Sequence, residues 1–185
     1  MDSSNNCDWG VWFPLAISVT SELEKEKVVQ IVNEIFEISS AQTQELTPRT
    51  KETLFALAES KRLITASLNG SLIGWVVVEK LEKDVSELGM AFVKPEFRRA
   101  GVLHKMLEEA SKRPERLIIA SYSSELIEFG IKHWGARKIT LWQVALVSRG
   151  RFITKRLNPK TSSVVNKHLR DHKPLFVITD RRKNG

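Results

Sequence analysis

The stretch SELGMAFVKPEFRRAGVLHKMLEEA, Ser86 to Ala110, joins an apolar run to a helical pattern through a basic turn. From Leu88 to Val93 the residues are apolar or small without polar interruption, the pattern of a strand buried on both faces. Lys94-Pro95 ends it, because proline gives the ladder no donor. Past Arg98-Arg99-Ala100-Gly101, the apolar positions Val102, Leu103, Met106, Leu107 and Ala110 recur at helical spacing, with Lys105, Glu108 and Glu109 on the opposite face. The stretch therefore predicts a central strand, a turn, and a helix that opens on glycine beside two arginines.

A helix start presents free N–H groups and the positive end of the macrodipole, and a small residue there lets an anion reach the main chain. Two guanidiniums add attraction and bidentate reach. The segment Arg99 to His104 is accordingly a candidate pyrophosphate site, and Leu103 is expected to turn inward with Met106, Leu107 and Ala110. The bland alternative is an ordinary strand-turn-helix with a solvated basic turn.

Taken together, Glu87-Leu88-Gly89, Val93-x-Pro95-Glu96-Phe97-Arg98-x-x-Gly101-Val102 and Leu107 resemble motif A of the GCN5-related N-acetyltransferases. The resemblance implies a mixed, mostly antiparallel α/β sheet flanked by helices, acetyl-CoA as co-substrate and an amine as acceptor. It implies cofactor contacts from Ala91, Phe92 and Val93 on the strand, whose main-chain N–H groups would face the thioester oxygen. Further contacts would come from Arg98, Arg99, Ala100, Gly101, Val102, Leu103 and His104 in the turn, and from Ser124 on a later helix. Two positions depart from the motif: Arg99 stands where a glycine often follows the arginine, and Leu103 fills a position usually small. In that fold the central strand and its parallel neighbour part, and the pantetheine arm bonds to the freed backbone.

The rest of the chain reads in order with this arrangement. Val11 to Val19 suggests an edge strand limited by Pro14, and Ser21-Glu22-Leu23-Glu24 a capping box opening a helix over Glu22 to Ser39. Thr47-Pro48 is expected to start a second helix running to about Ser60. Leu63 to Leu68 and Leu72 to Glu79 form a hairpin through Asn69-Gly70, and Lys80 to Asp84 turns into the central strand. Arg116 to Ser121 follows as its parallel partner, then a helix over Ser124 to Trp134 ending at Gly135. Lys138 to Val147 reads as a long strand, Thr161 or Ser162 to Asp171 as a short helix, and Leu175 to Thr179 as a last strand. One domain over residues 11–180 is expected, with an N-terminal tail over 1–10 and a basic end over 181–185.

Direct transfer from a thioester needs a neutral amine, a proton acceptor, a donor to the carbonyl oxygen and a proton for the departing thiolate. Glu87, at the start of the central strand, is the candidate base, and a solvated strand-end carboxylate is the competing reading. Registering Gly135-Ala136 on the family's second motif puts Ile131 at the position of its tyrosine acid. Tyr122, the chain's one tyrosine, is the remaining candidate. His104 and His133 read as surface residues, and no set of ligands for a metal emerges from His104, His133, His168, His172 and Cys7.

Hydrophobic residues at 42% and charged ones at 28% are ordinary for a globular chain of 185 residues. One cysteine precludes an internal disulfide, and apolar runs stay well short of the roughly 18 residues of a membrane span, so a cytoplasmic protein is expected. The net charge of +7 is uneven: residues 148–185 hold eleven Lys or Arg against two Asp, which is +9 and leaves −2 for the remainder. Two functions fit this pattern. One is an acetyl-CoA-dependent N-acetyltransferase; the other is a binding module of the same fold whose Arg149, Arg151, Lys155, Arg156, Lys160, Lys167, Arg170 and Lys173 meet nucleic acid or another acidic partner.

Overall fold

The computed structural model of the chain describes residues 16–42, 49–121, 124–156 and 174–179. Its strands are β1 (Ile17–Thr20), β2 (Leu63–Leu68), β3 (Ser71–Glu82), β4 (Val85–Val93), β5 (Arg116–Ser121), β6 (Arg137–Ile139) and β7 (Leu175–Ile178). Its helices are α1 (Lys25–Ala41), α2 (Lys51–Glu59), α3 (Val102–Ser111), α4 (Ser124–Trp134), α5 (Leu141–Val147) and α6 (Arg151–Arg156). The strands form one sheet in the order β1-β2-β3-β4-β5-β7-β6, antiparallel except between β4 and β5. This is the expected mixed, mostly antiparallel sheet, with the Leu88–Val93 stretch inside it.

Helices cover both faces. On one, α3 and α4 bury Val102, Met106, Leu107 and Ile127 against Ile64, Val76, Leu88 and Ile119. Gly130 lets α4 come close, since a Cβ there would lie 3.1 Å from Ile119 Cδ1. The opposite face carries two clusters side by side. Val32, Ile35, Leu54 and Leu57 of α1 and α2 pack on Leu63, Trp75, Val77 and Phe92. Val144 and Phe152 of α5 and α6 pack on Leu81, Val85, Ile118 and Ile178.

The β2–β3 hairpin turns through Asn69 and Gly70 at φ 50° and 81°, left-handed values that these two residues accept at least cost. Elsewhere local signals are displaced. The Ser21 box does not form; Thr20 Oγ1 instead accepts from the Glu22 N–H at 2.9 Å, and α1 starts at Lys25 behind Glu24, which makes no side-chain cap. Thr50 caps α2, accepting from the Thr53 N–H at 3.3 Å; Thr47 and Pro48 lie outside the described residues. So do Val11 to Leu15 and the expected helix ending at Asp171.

The expected strand from Lys138 to Val147 is corrected: pairing stops at Ile139 and the chain turns into α5. Thr140 and Gln143 make a reciprocal capping box, worth about 1 kcal/mol, which starts a helix inside an apolar run that periodicity leaves ambiguous.

Candidate active site

β4 is paired on both sides for only part of its length. Its parallel rungs with β5 run from Val85↔Arg116 to Leu88↔Ile119 and end there. Beyond them β3 still pairs with Phe92 and Val93, whereas Ala120 and Ser121 of β5 pair with Phe176 and Leu175 of β7. The two central strands therefore part after Leu88, and among the described residues no strand neighbours the β5-facing edge of Gly89 to Val93. A bulge accompanies the parting: Met90 has φ 47°, and the β3–β4 register shifts between Trp75 and Val77. Because buried main-chain groups demand partners, such a split is a slot for an extended, hydrogen-bonding ligand.

At the end of β4 the chain makes a 3-10 turn over Pro95–Phe97 and two left-handed residues, Arg99 at φ 69° and Gly101 at φ 75°. Gly101 is the N-cap of α3, and the first helical bond runs from the Lys105 N–H to the Gly101 carbonyl at 3.1 Å. The N–H groups of Val102, Leu103 and His104 precede that ladder and point out of the helix start. Arg98 Nε donates to the Val93 carbonyl at 3.3 Å, tying the turn to the strand end; Arg99 and Ala100 are exposed. Val102 is buried, and Leu103 is half-buried against the same cluster, so its side chain leans inward as expected. His104 is exposed, 3.0 Å from Glu108 Oε1 and edge-on to Phe129 and to the exposed His133.

Glu87 is not a solvated strand end. Its side chain is 4% exposed, and it stands directly opposite Glu79 of β3 on the face between the two helical clusters. Arg156 grips it with both terminal guanidinium nitrogens, Nη1 at 3.3 Å from Oε2 and Nη2 on Oε1. Lys155 Nζ contacts Glu79 and lies 3.2 Å from Glu87 Oε2, while Arg49 Nε donates to Glu79 Oε1 at 2.6 Å. Burial, then the flanking guanidiniums of Arg49 and Arg156, push the Lys155 amine down to about 6 despite the two carboxylates beside it. Sequence reasoning missed Arg49 and Glu79, and assigned Lys155 and Arg156 to a partner surface instead. The available signal was the pair of carboxylates at the ends of apolar runs, Glu79 just after Leu72 to Val78 and Glu87 just before Leu88 to Val93.

Ser124, the further candidate contact, opens α4 and is exposed; Tyr122 lies outside the described residues. Ile131 is half-buried against the α3–α4 core. Of the eight cations read as a partner surface, Arg149 is exposed, Arg151, Lys155 and Arg156 face Glu82, Glu79 and Glu87 of the chain's own sheet, and Lys160, Lys167, Arg170 and Lys173 lie outside the described residues. Among the described residues no cluster of His, Cys, Asp or Glu could hold a metal ion, and no helix is long and apolar enough to cross a membrane.

Solved structures of this shape include proteins that hold coenzyme A. Rv2747 from Mycobacterium tuberculosis, solved with CoA and NLQ, superposes with a TM-score of 0.61 at 13% identity, covering 88% of this chain and 98% of its own. Diaminobutyrate acetyltransferase EctA from Paenibacillus lautus, solved with L-2,4-diaminobutyric acid and coenzyme A, gives 0.57 at 11% identity, with 91% and 98% covered. N-acetylglutamate synthase from Neisseria gonorrhoeae, solved with coenzyme A and N-acetyl-glutamate, gives 0.57 at 12% identity over 90% of this chain and 35% of that one. At these identities the likeness is one of fold. No curated protein sequence matches the chain. The model of the acetyltransferase (GNAT) family, however, matches residues 27–120, just over half of the 185 residues, with β2 to β4 and all of β5 but its last residue. The chain belongs to the GNAT acetyltransferase family.

Proposed function

We propose that the chain is an acetyl-CoA-dependent N-acetyltransferase that moves an acetyl group directly to an amine. The parting of β4 from β5 after Leu88, followed within one turn by a glycine-opened helix, carries this reading. The residues present fit the cofactor: main-chain groups of Ala91, Phe92 and Val93 along the one-sided strand can bond an extended pantetheine arm. The N–H groups of Val102 to His104, with Arg98 and Arg99, suit a pyrophosphate. Bound acetyl-CoA supplies the activated acyl group. Glu87 is buried beside the split, and in this reading it takes the proton of an acceptor amine. With Ile131 at the family's tyrosine position, Tyr122 or a water is left to protonate the departing thiolate.

Titration calorimetry with CoA and acetyl-CoA tests the reading. Binding of both is expected, and reversing Arg98 and Arg99 to Glu should weaken it about tenfold or more, the loss being larger at low salt. A folded double variant with unchanged CoA affinity would place the cofactor elsewhere.

A further inference from the structure

The buried carboxylate pair beside the split holds an amine of the protein's own. Lys155 Nζ lies 3.2 Å from Glu87 Oε2, and the other oxygen of that carboxylate leans toward Gly89, where an added Cβ would be 3.7 Å from Oε1. Gly89 is the first residue of β4 past the last rung with β5. The amine and the open part of the strand thus flank the same carboxylate.

The placement is fixed by α6. Phe152 is 2% exposed in the core, and its N–H donates to Ser148 Oγ at 3.3 Å. Arg156 lies over the Phe152 ring at 3.5 Å and donates to the Phe152 carbonyl at 3.1 Å. Three cations, Arg49, Lys155 and Arg156, face two carboxylates, and the lowered Lys155 affinity for protons relieves the surplus charge. Its side chain keeps 29% of its surface open, so a reagent can reach it.

We propose that Lys155 is a self-acetylation site, the internal acceptor of the chain's own acetyl transfer. This rests on the acetyltransferase reading above. The Nζ lone pair attacks the thioester carbonyl carbon, a C–N bond forms and the C–S bond breaks with its electron pair on sulfur. The amine proton passes to Glu87 and from there to the thiolate, leaving an amide on Lys155 and free CoA thiol. The amide carries no charge for Glu79 or Glu87, so Arg156 alone remains as a cation on Glu87.

The test is to incubate the full chain with acetyl-CoA at several protein concentrations, follow intact mass and map the modified peptide, with CoA binding measured in parallel by calorimetry. One acetyl group on Lys155 is expected, at a first-order rate that dilution leaves unchanged. Lys155→Arg should lose the mark, and Glu87→Gln should slow it tenfold or more. The wild-type chain supplies the primary readout, so the result stands whether or not either variant folds. CoA binding with Lys155 unmodified, or acetylation spread over exposed lysines, overturns the internal acceptor and leaves the transferase reading standing. No CoA binding overturns the transferase reading itself.

Discussion

Two carboxylates directly opposite on neighbouring strands repel by up to about 1 kcal/mol even on a sheet surface, and burial raises that cost. Glu79 and Glu87 occupy such positions because Arg49, Lys155 and Arg156 converge on them from two other parts of the chain. Lys155 has a pH signature. Its affinity for protons is depressed in the fold from 10.5 to about 6, so between these values the unfolded chain binds more protons than the folded one. Stability from this group is complete above the unfolded value and falls away as pH drops toward about 6. Lys155→Met removes the titration, so its stability advantage over wild type should be largest near pH 6 and shrink as pH rises to about 9.5, read from denaturant midpoints. A gap constant with pH would mean the amine titrates normally. Glu87 could be singled out in the sequence because it opens an apolar run. Its partners could not, because they lie 68 and 69 residues away and nothing local marks a cation as turned inward.

At the level of elements, the legible parts are those whose cause is local. Asn69-Gly70 dictates its hairpin, and Gly101 with the apolar repeat dictates α3. The split between β4 and β5 begins where their rungs stop at Leu88↔Ile119, a point that no local pattern marks. α5 was concealed for a different reason, since seven largely apolar residues suit a buried strand as well as a short helix. Between the β3 bulges Gly74 does unseen work: a Cβ there would sit 2.7 Å from the Phe92 carbonyl and 3.2 Å from Met106 Cε. Met106 can yield, but the carbonyl belongs to the strand assigned to the pantetheine arm. Gly74→Ala should therefore cost about 1–3 kcal/mol of stability and also weaken CoA binding, by calorimetry on the folded fraction. Loss of stability with unchanged CoA affinity would detach β4 geometry from the cofactor.

For the whole molecule, the sheet order was readable as far as β5, where successive strands are neighbours in space. It stopped being readable at β7, which inserts between β5 and β6 rather than following at the edge. Among the described residues β6 takes all its pairing from this four-residue strand, and β5 takes from it the pairing of its second edge. Ending the chain before Pro174 should expose both edges and send the protein into the insoluble fraction, which expression and sedimentation would show; a soluble monomer with native circular dichroism would refute that dependence. The same insertion sets a schedule for the nascent chain. Ile118 pairs with Ile178, so at ~5–20 residues per second β5 waits roughly 3 to 12 s on the ribosome for its partner to be made. Codon choice across that interval, by lengthening or shortening the wait, helps set how much of each synthesis round escapes edge-to-edge association.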